Sequence, residues 1–207
     1  MSLRAVLTNV VVVVVVLHLL SLGAVRLLRG RGLRRGSLRE NVRAVGPTAV
    51  VLGVLLLANG AVRDVGVELS WLIGLNITGA IHSLEGSFVA ELQSFATPAL
   101  TAYFSFVYVF GYVFLLTFPV VLYVLHDDTR PLSATLVAYA LNYGIGLVCY
   151  VLFVAYGPRN FMPGAVESLL FTNWPEVQHL TSRVNENTNV FPSLHTSLSV
   201  TVALLAA

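Results

Sequence analysis

Residues 5–28 read AVLTNVVVVVVVLHLLSLGAVRLL, and their reading decides the class of the whole chain. Seven consecutive valines would be a poor helix in water, because β-branched side chains lose rotamer freedom against the preceding turn. In hydrocarbon the comparison changes: no water is present to satisfy the backbone, and a helix is the only way one segment can pair all its own N–H and C=O groups. A bilayer core about 30 Å thick asks for roughly 20 apolar residues of helix, and this stretch meets that length. A cleaved signal peptide is the competing reading, since Arg4 precedes the run. It is set aside because the run is too long and closes on arginines instead of small residues.

The rest of the chain agrees with that beginning. Of 207 residues, 57% are apolar and 11% charged, and the mean hydropathy is +0.82, values outside the range of a water-soluble domain of this length. The same ruler places further spans at about Val45–Ala61, Thr101–Leu125 and Ser133–Tyr156, and a fifth from near Pro192 that the sequence leaves unfinished at Ala207. Pro47 falls in the first turn of the second span, where its missing N–H is harmless. Between the second and third spans, Ile81, Leu84, Phe88, Val89, Leu92 and Phe95 recur mostly at steps of three and four, which describes an amphipathic helix lying in the membrane interface. The run from Leu69 to Ala80 is too short to span and is compatible with a re-entrant segment. The expected fold is therefore all-α, a polytopic transmembrane helical bundle of about five spans plus an interfacial helix. An N-terminal membrane region covers residues 1–100 and a second membrane domain residues 101–207.

Net charge is +2, too small to suggest nucleic acid as a partner; the placement of charge says more. All twelve basic residues are arginine, and seven of them (Arg26, Arg29, Arg31, Arg34, Arg35, Arg39, Arg43) fall in one short stretch where the first span gives way to the second. Arginine concentrated in a short loop marks the cytoplasmic side. Counting spans from there puts residues 157–191 and the start of the fifth helix on the extracytoplasmic face. Cys149, the single cysteine, sits in an apolar run and reads as a small hydrophobe. His126, Asp127 and Asp128 form part of the short turn HDDTRPL between the third and fourth spans and read as a solvated turn, so no metal site is expected there.

Residues 157–197, GPRNFMPGAVESLLFTNWPEVQHLTSRVNENTNVFPSLHTS, depart from the composition around them. Most of their polar residues read as solvated loop. Two positions stand apart because of their location. His195 lies inside the start of a membrane helix, where a polar ring needs a partner or a purpose. Pro192 suits a first helical turn and Asn189 or a neighbour could cap it, so the N–H groups near Ser193–His195 form an anion-binding helix start, to which the Ser193 hydroxyl adds a donor. A histidine beside such a phosphate can protonate a leaving oxygen. Arg159 stands on the same face, where the fourth helix ends. Its planar fork of donors suits phosphate, while an interfacial arginine marking the helix end is an equal reading of the residue by itself.

The string Asn189-Val190-Phe191-Pro192-Ser193-Leu194-His195 resembles the second signature box of the phosphatidic acid phosphatase type 2 superfamily, whose members include lipid phosphate phosphatases and haloperoxidases. The usual box is Pro-Ser-Gly-His. Leu194 in place of the glycine is similar to the inositolphosphorylceramide synthase-like branch. The first box, a lysine, six residues and Arg-Pro, is matched here only by Arg159, with Leu152 where the lysine stands and Asn160 where the proline stands. The third box, carrying an arginine, a nucleophilic histidine and its aspartate, lies beyond the helix that follows the second box. It is not found up to Ala207, so the sequence is expected to be a piece of a longer protein.

The resemblance implies an integral membrane enzyme acting on a lipid phosphate at the extracytoplasmic face of the cell membrane through a phosphohistidine. His195 would be general acid toward the leaving alcohol, with Arg159 and Ser193 binding the phosphate. Neither cofactor nor metal is implied. Water as acceptor makes the protein a phosphatase; a sugar or inositol hydroxyl makes it a phosphotransferase. A non-enzymatic lipid-binding or transport protein is the reading from another class. For it His18, Pro119 and Asn142 are the polar or helix-breaking residues within spans.

Overall fold

The structure is a computed structural model that describes residues 3–29, 38–175 and 190–206. It is all-α apart from one two-residue strand pair: α1 (Leu3–Arg29), α2 (Leu38–Ile73), β1 (Leu75–Asn76), α3 (Thr78–Glu85), α4 (Phe88–Ser94), α5 (Pro98–Phe106), a π-helical segment (Val107–Gly111), α6 (Tyr112–Val124), α7 (Arg130–Leu152), β2 (Phe153–Val154), α8 (Pro158–Phe161), α9 (Leu169–Asn173) and α10 (Leu194–Ala206). Among the described residues four helical stretches are long and apolar enough to cross a membrane, Arg4–Leu28, Arg39–Gly60, Pro98–Val124 and Arg130–Leu152. At 13 residues α10 is apolar but shorter. Large apolar side chains point outward along these helices. Leu19, Leu20 and Val11 are 65%, 66% and 60% exposed, a surface that water would penalise and hydrocarbon does not.

Several boundaries differ from the sequence expectation. The second span is the first part of a longer helix, since α2 runs on through Arg63, Asp64 and Glu68 to Ile73: charge ends the apolar window without breaking the backbone ladder. No separate re-entrant segment occupies residues 69–80. Its first five residues, 69–73, complete α2, and β1 and the start of α3 come next. The amphipathic helix expected over 81–95 is two helices, α3 and α4, parted at Gly86, whose φ of +55° is open to glycine and strained for other residues. The fourth span ends at Leu152 because residues 153 and 154 leave the helix to pair with β1.

The chain forms two compact units, each drawn from three segments. One comprises Leu7–Leu57, Val109–Gly144 and Leu194–Ala207 and is a helical bundle. Val45, Leu132 and Leu136 form one buried cluster, joined by Val120 and Val124; Tyr139, Leu198 and Val202 form a second, joined by Tyr112 and Leu116. Three of its polar side chains pair across helices, which offsets the cost of holding them in hydrocarbon. Asn41 Nδ2 donates to the carbonyls of Val124 (3.1 Å) and His126 (2.8 Å). Tyr139 Oη donates to Leu116 O at 2.9 Å, and Asn142 Nδ2 donates to Ala138 O (2.8 Å) and Thr201 Oγ1 (3.1 Å), tying α7 to α10.

The other unit comprises Met1–Val6, Ala58–Tyr108 and Ile145–Ser193. Its centre is the parallel pairing of β1 with β2, Leu75 opposite Phe153 and Asn76 opposite Val154. The chain reaches that pairing through Gly74, where a Cβ would collide with Ser70 O and stand 3.1 Å from Val151 O. Glycine is thus required at Gly74 by the close approach of two backbones. Beyond the strands Ile77 N donates to Val154 O (3.0 Å) and Tyr156 N to the buried Thr78 Oγ1 (3.1 Å).

Candidate functional site

The residues singled out in the sequence fall on two lead-in segments. The first is 155–159. The β1–β2 pairing and the Tyr156–Thr78 hydrogen bond hold its N-terminal side, Gly157 precedes α8 in extended conformation, and Pro158 takes the first helical position. Arg159 comes next, half-buried, with Cζ 4.9 Å from the centroid of the Phe171 ring. A cation over an aromatic face is attracted by the ring quadrupole, and a guanidinium carries a planar fork of N–H donors. Phe161, on the same short helix, meets the His82 ring edge-on at 5.0 Å, so α3 braces α8. Leu152, which stands where the first box has lysine, is the exposed last residue of α7. It contributes no charge.

The second segment is 190–193. Tyr150 Oη donates to Pro192 O at 3.1 Å, and the Phe191 ring meets Phe153 edge-on with centroids 6.0 Å apart. Val190 Cγ1 lies 3.7 Å from where a Cβ of Gly157 would stand. Through that contact the chain just before Arg159 and the chain just before Ser193 run side by side in one unit. Ser193 itself is exposed.

Here the structure corrects the expected helix start. Pro192 lies outside α10, which begins at Leu194, and its carbonyl is engaged by Tyr150 instead of a helical N–H. Ser193 therefore occupies the position directly before the helix, for which serine is among the favoured residues. Asn189, expected as a cap, lies outside the described residues, as do Glu176, His179, Arg183 and Glu186.

His195 is the second residue of α10, closer to the helix end than a full turn, and is half-buried. It shares a face with Leu198 and Val202, three and seven positions on, both buried against α6 and α7. That face turns the imidazole toward Tyr112: the two ring centroids are 4.2 Å apart and the planes tilted by 32°. Tyr112 is the first residue of α6, directly after the π-helical segment. A π turn carries an extra residue and rotates the helix beyond it, a device common near functional sites. Tyr112 is the residue that the sequence reading missed, because nothing in the aromatic-rich run YFSFVYVFGYVF separates it from its neighbours.

The other histidines have structural surroundings. His18 Nδ1 is 2.8 Å from Val14 O, its ring meets Phe114 and Phe118 edge-on, and its buried Nε2 has no hydrogen-bond partner. In the turn before α7, His126 Nδ1 accepts from Asp128 N (3.3 Å) and Asp128 Oδ1 from Arg130 N (2.9 Å), which places a carboxylate at the helix N-terminus. Among the described residues no three His, Cys, Asp or Glu side chains gather as a metal-binding group.

A family model, that of the PAP2 superfamily, matches residues 80–207, a stretch that holds Arg159, Ser193 and His195. No match was found among curated proteins or solved structures.

Proposed function

The chain belongs to the PAP2 superfamily, and from that premise we propose that it is an integral membrane lipid-phosphate phosphatase working through a phosphohistidine at the extracytoplasmic face. The observation that carries the reading is the start of α10: a serine directly before an apolar helix and a histidine in its first turn, after a segment braced by Tyr150, Phe153 and Gly157.

A phosphate seated at that helix start would meet the N–H groups of the first turn and the positive end of the helix dipole. The Ser193 hydroxyl and the Arg159 fork would bind further phosphate oxygens. A histidine nitrogen attacks phosphorus; the P–O bond to the lipid breaks, its electron pair stays on the lipid oxygen, and His195 gives that oxygen a proton. Water then attacks the phosphohistidine, the P–N bond breaks, and His195 takes the water proton, which restores its first state. Of the described histidines, only His195 has the acid's position.

Leu194 favours a second reading, in which an inositol or sugar hydroxyl replaces water in the second step, as in the inositolphosphorylceramide synthase type. A non-enzymatic transporter or lipid-binding protein has less to support it. Asn142, one of the residues on which that reading rests, is committed to Ala138 and Thr201.

The test is phosphate release from a lipid phosphate in detergent micelles by the natural full-length protein and its His195→Ala and Arg159→Ala variants. General acid catalysis contributes about 10²–10⁴-fold, so His195→Ala is expected to lose at least a hundredfold. Unchanged turnover in that variant, with the protein still folded, would end the proposal. Transfer to an added inositol or sugar in preference to water would select the second reading.

A further inference from the structure

Within the unit that holds Arg159, a groove of about 510 Å³ runs between α4, α5 and α9, inside the range of roughly 300–1,000 Å³ usual for small-molecule sites. Leu92, Phe95, Leu100, Phe104 and Leu170 give it an apolar wall. Gln93 also lines it, but both ends of that amide are spent: Nε2 donates to Glu167 O at 2.9 Å, and Oε1 accepts from Glu167 N at 2.6 Å. This two-point clamp fastens the segment before α9 to α4, so the groove is held open as a built feature. Ser105, another lining residue, is buried. A polar ligand would find few partners there; a hydrocarbon needs none.

A charge lies close to the groove, one residue beyond its lining. Leu169 and Leu170 line it and Phe171 comes directly after them on α9, with the Arg159 guanidinium over the Phe171 ring. Tyr108 lines the groove as well. An apolar groove with a guanidinium over the residue next to its lining matches a molecule with a hydrocarbon tail and an anionic head.

We propose that this groove receives the hydrocarbon tail of the phosphate ester whose head lies at Arg159, so that α4, α5 and α9 set the chain length the protein accepts. The proposal rests on the reading of the protein as a phosphate-ester enzyme. It assigns a role to α4 and to the turn at Ala96.

The experiment uses the natural full-length protein and two soluble alkyl phosphates, of four and eight carbons, each kept below its micelle concentration. Each methylene moved from water into the groove raises kcat/KM by up to about fourfold, so the eight-carbon ester should be preferred by at least tenfold. Ala96→Trp fills the groove from the α4–α5 turn and Leu100→Trp from α5. Each should abolish the preference while the four-carbon ester is still turned over. A preference that survives both substitutions overturns the proposal and makes the groove a resting place for bulk membrane lipid only. Loss of all turnover on both esters in both variants also overturns it, because filling a tail site removes the chain-length preference and not the reaction at the head. If the unsubstituted protein cleaves neither ester nor any lipid phosphate, the phosphate-ester reading itself fails, a result distinct from the other two.

Discussion

Tyr112 and His195, 83 positions apart in the chain, stack at 4.2 Å, and that contact gives the proposed acid a fixed ring orientation. An aromatic pair of this kind contributes about 0.5–1.5 kcal/mol beyond burial, or roughly two- to twelvefold if all of it serves orientation. Tyr112→Leu is expected to lower kcat by up to about tenfold with KM unchanged, and Tyr112→Phe to restore it. A fall in stability with kcat unchanged would reduce Tyr112 to packing. The role of His195 has a sharper test. An aryl phosphate whose leaving group needs no proton should be cleaved by His195→Ala within about tenfold of the unsubstituted rate, whereas an alkyl phosphate loses a hundredfold or more. Equal losses on the two esters would mean that His195 binds phosphate and transfers no proton. His18 invites the opposite expectation. Its buried, unpartnered Nε2 costs free energy, so His18→Leu should leave turnover unchanged and the melting temperature equal or higher.

At the scale of elements, the β1–β2 pairing is what ends α7 and directs the chain toward Arg159. It depends on Gly74. Gly74→Ala sets a methyl group against Ser70 O and Val151 O, an overpacking that costs about 1–3 kcal/mol. A fall of several degrees in the melting temperature in detergent is expected, with reduced turnover because Arg159 loses its support. Gly53→Ala is the control: nothing lies within 4 Å of the added Cβ, and alanine is the better helix former, so stability should hold or rise. Scanning calorimetry or a thiol-dye melt reads both. An equal effect of the two substitutions would remove the special place given to Gly74. The split of the expected amphipathic helix at Gly86 shows what periodicity leaves out. Apolar residues at steps of three and four persist through α3 and α4, but a glycine with positive φ turns the chain between them.

At the scale of the whole molecule, the arginines between the first two spans and the location of Arg159 lead to a prediction of sidedness. In a Cys149→Ser background, Asn160→Cys, at an exposed position beside Arg159, should react with a membrane-impermeant maleimide added to intact cells. Reaction only after the cells are opened would place the site in the cytoplasm and overturn the topology. The spans were legible from the amino-acid sequence because hydrocarbon leaves the backbone one solution, and about twenty apolar residues state it locally. The string FPSLH pointed to the family for a similar reason: it is short and contiguous. The surroundings of the proposed site could not be read in this way. Tyr112 on His195, Tyr150 on Pro192, Val190 on Gly157 and Gln93 on Glu167 each join residues more than 30 positions apart. Each depends on a turn, a π segment or a strand pair that has no periodic signature. The sequence alone determined that this chain lives in a membrane as helices and which residues carry the chemistry's pattern. Only the tertiary structure decided which neighbours hold those residues, because long-range packing and not local propensity selects one partner among many similar apolar and aromatic side chains.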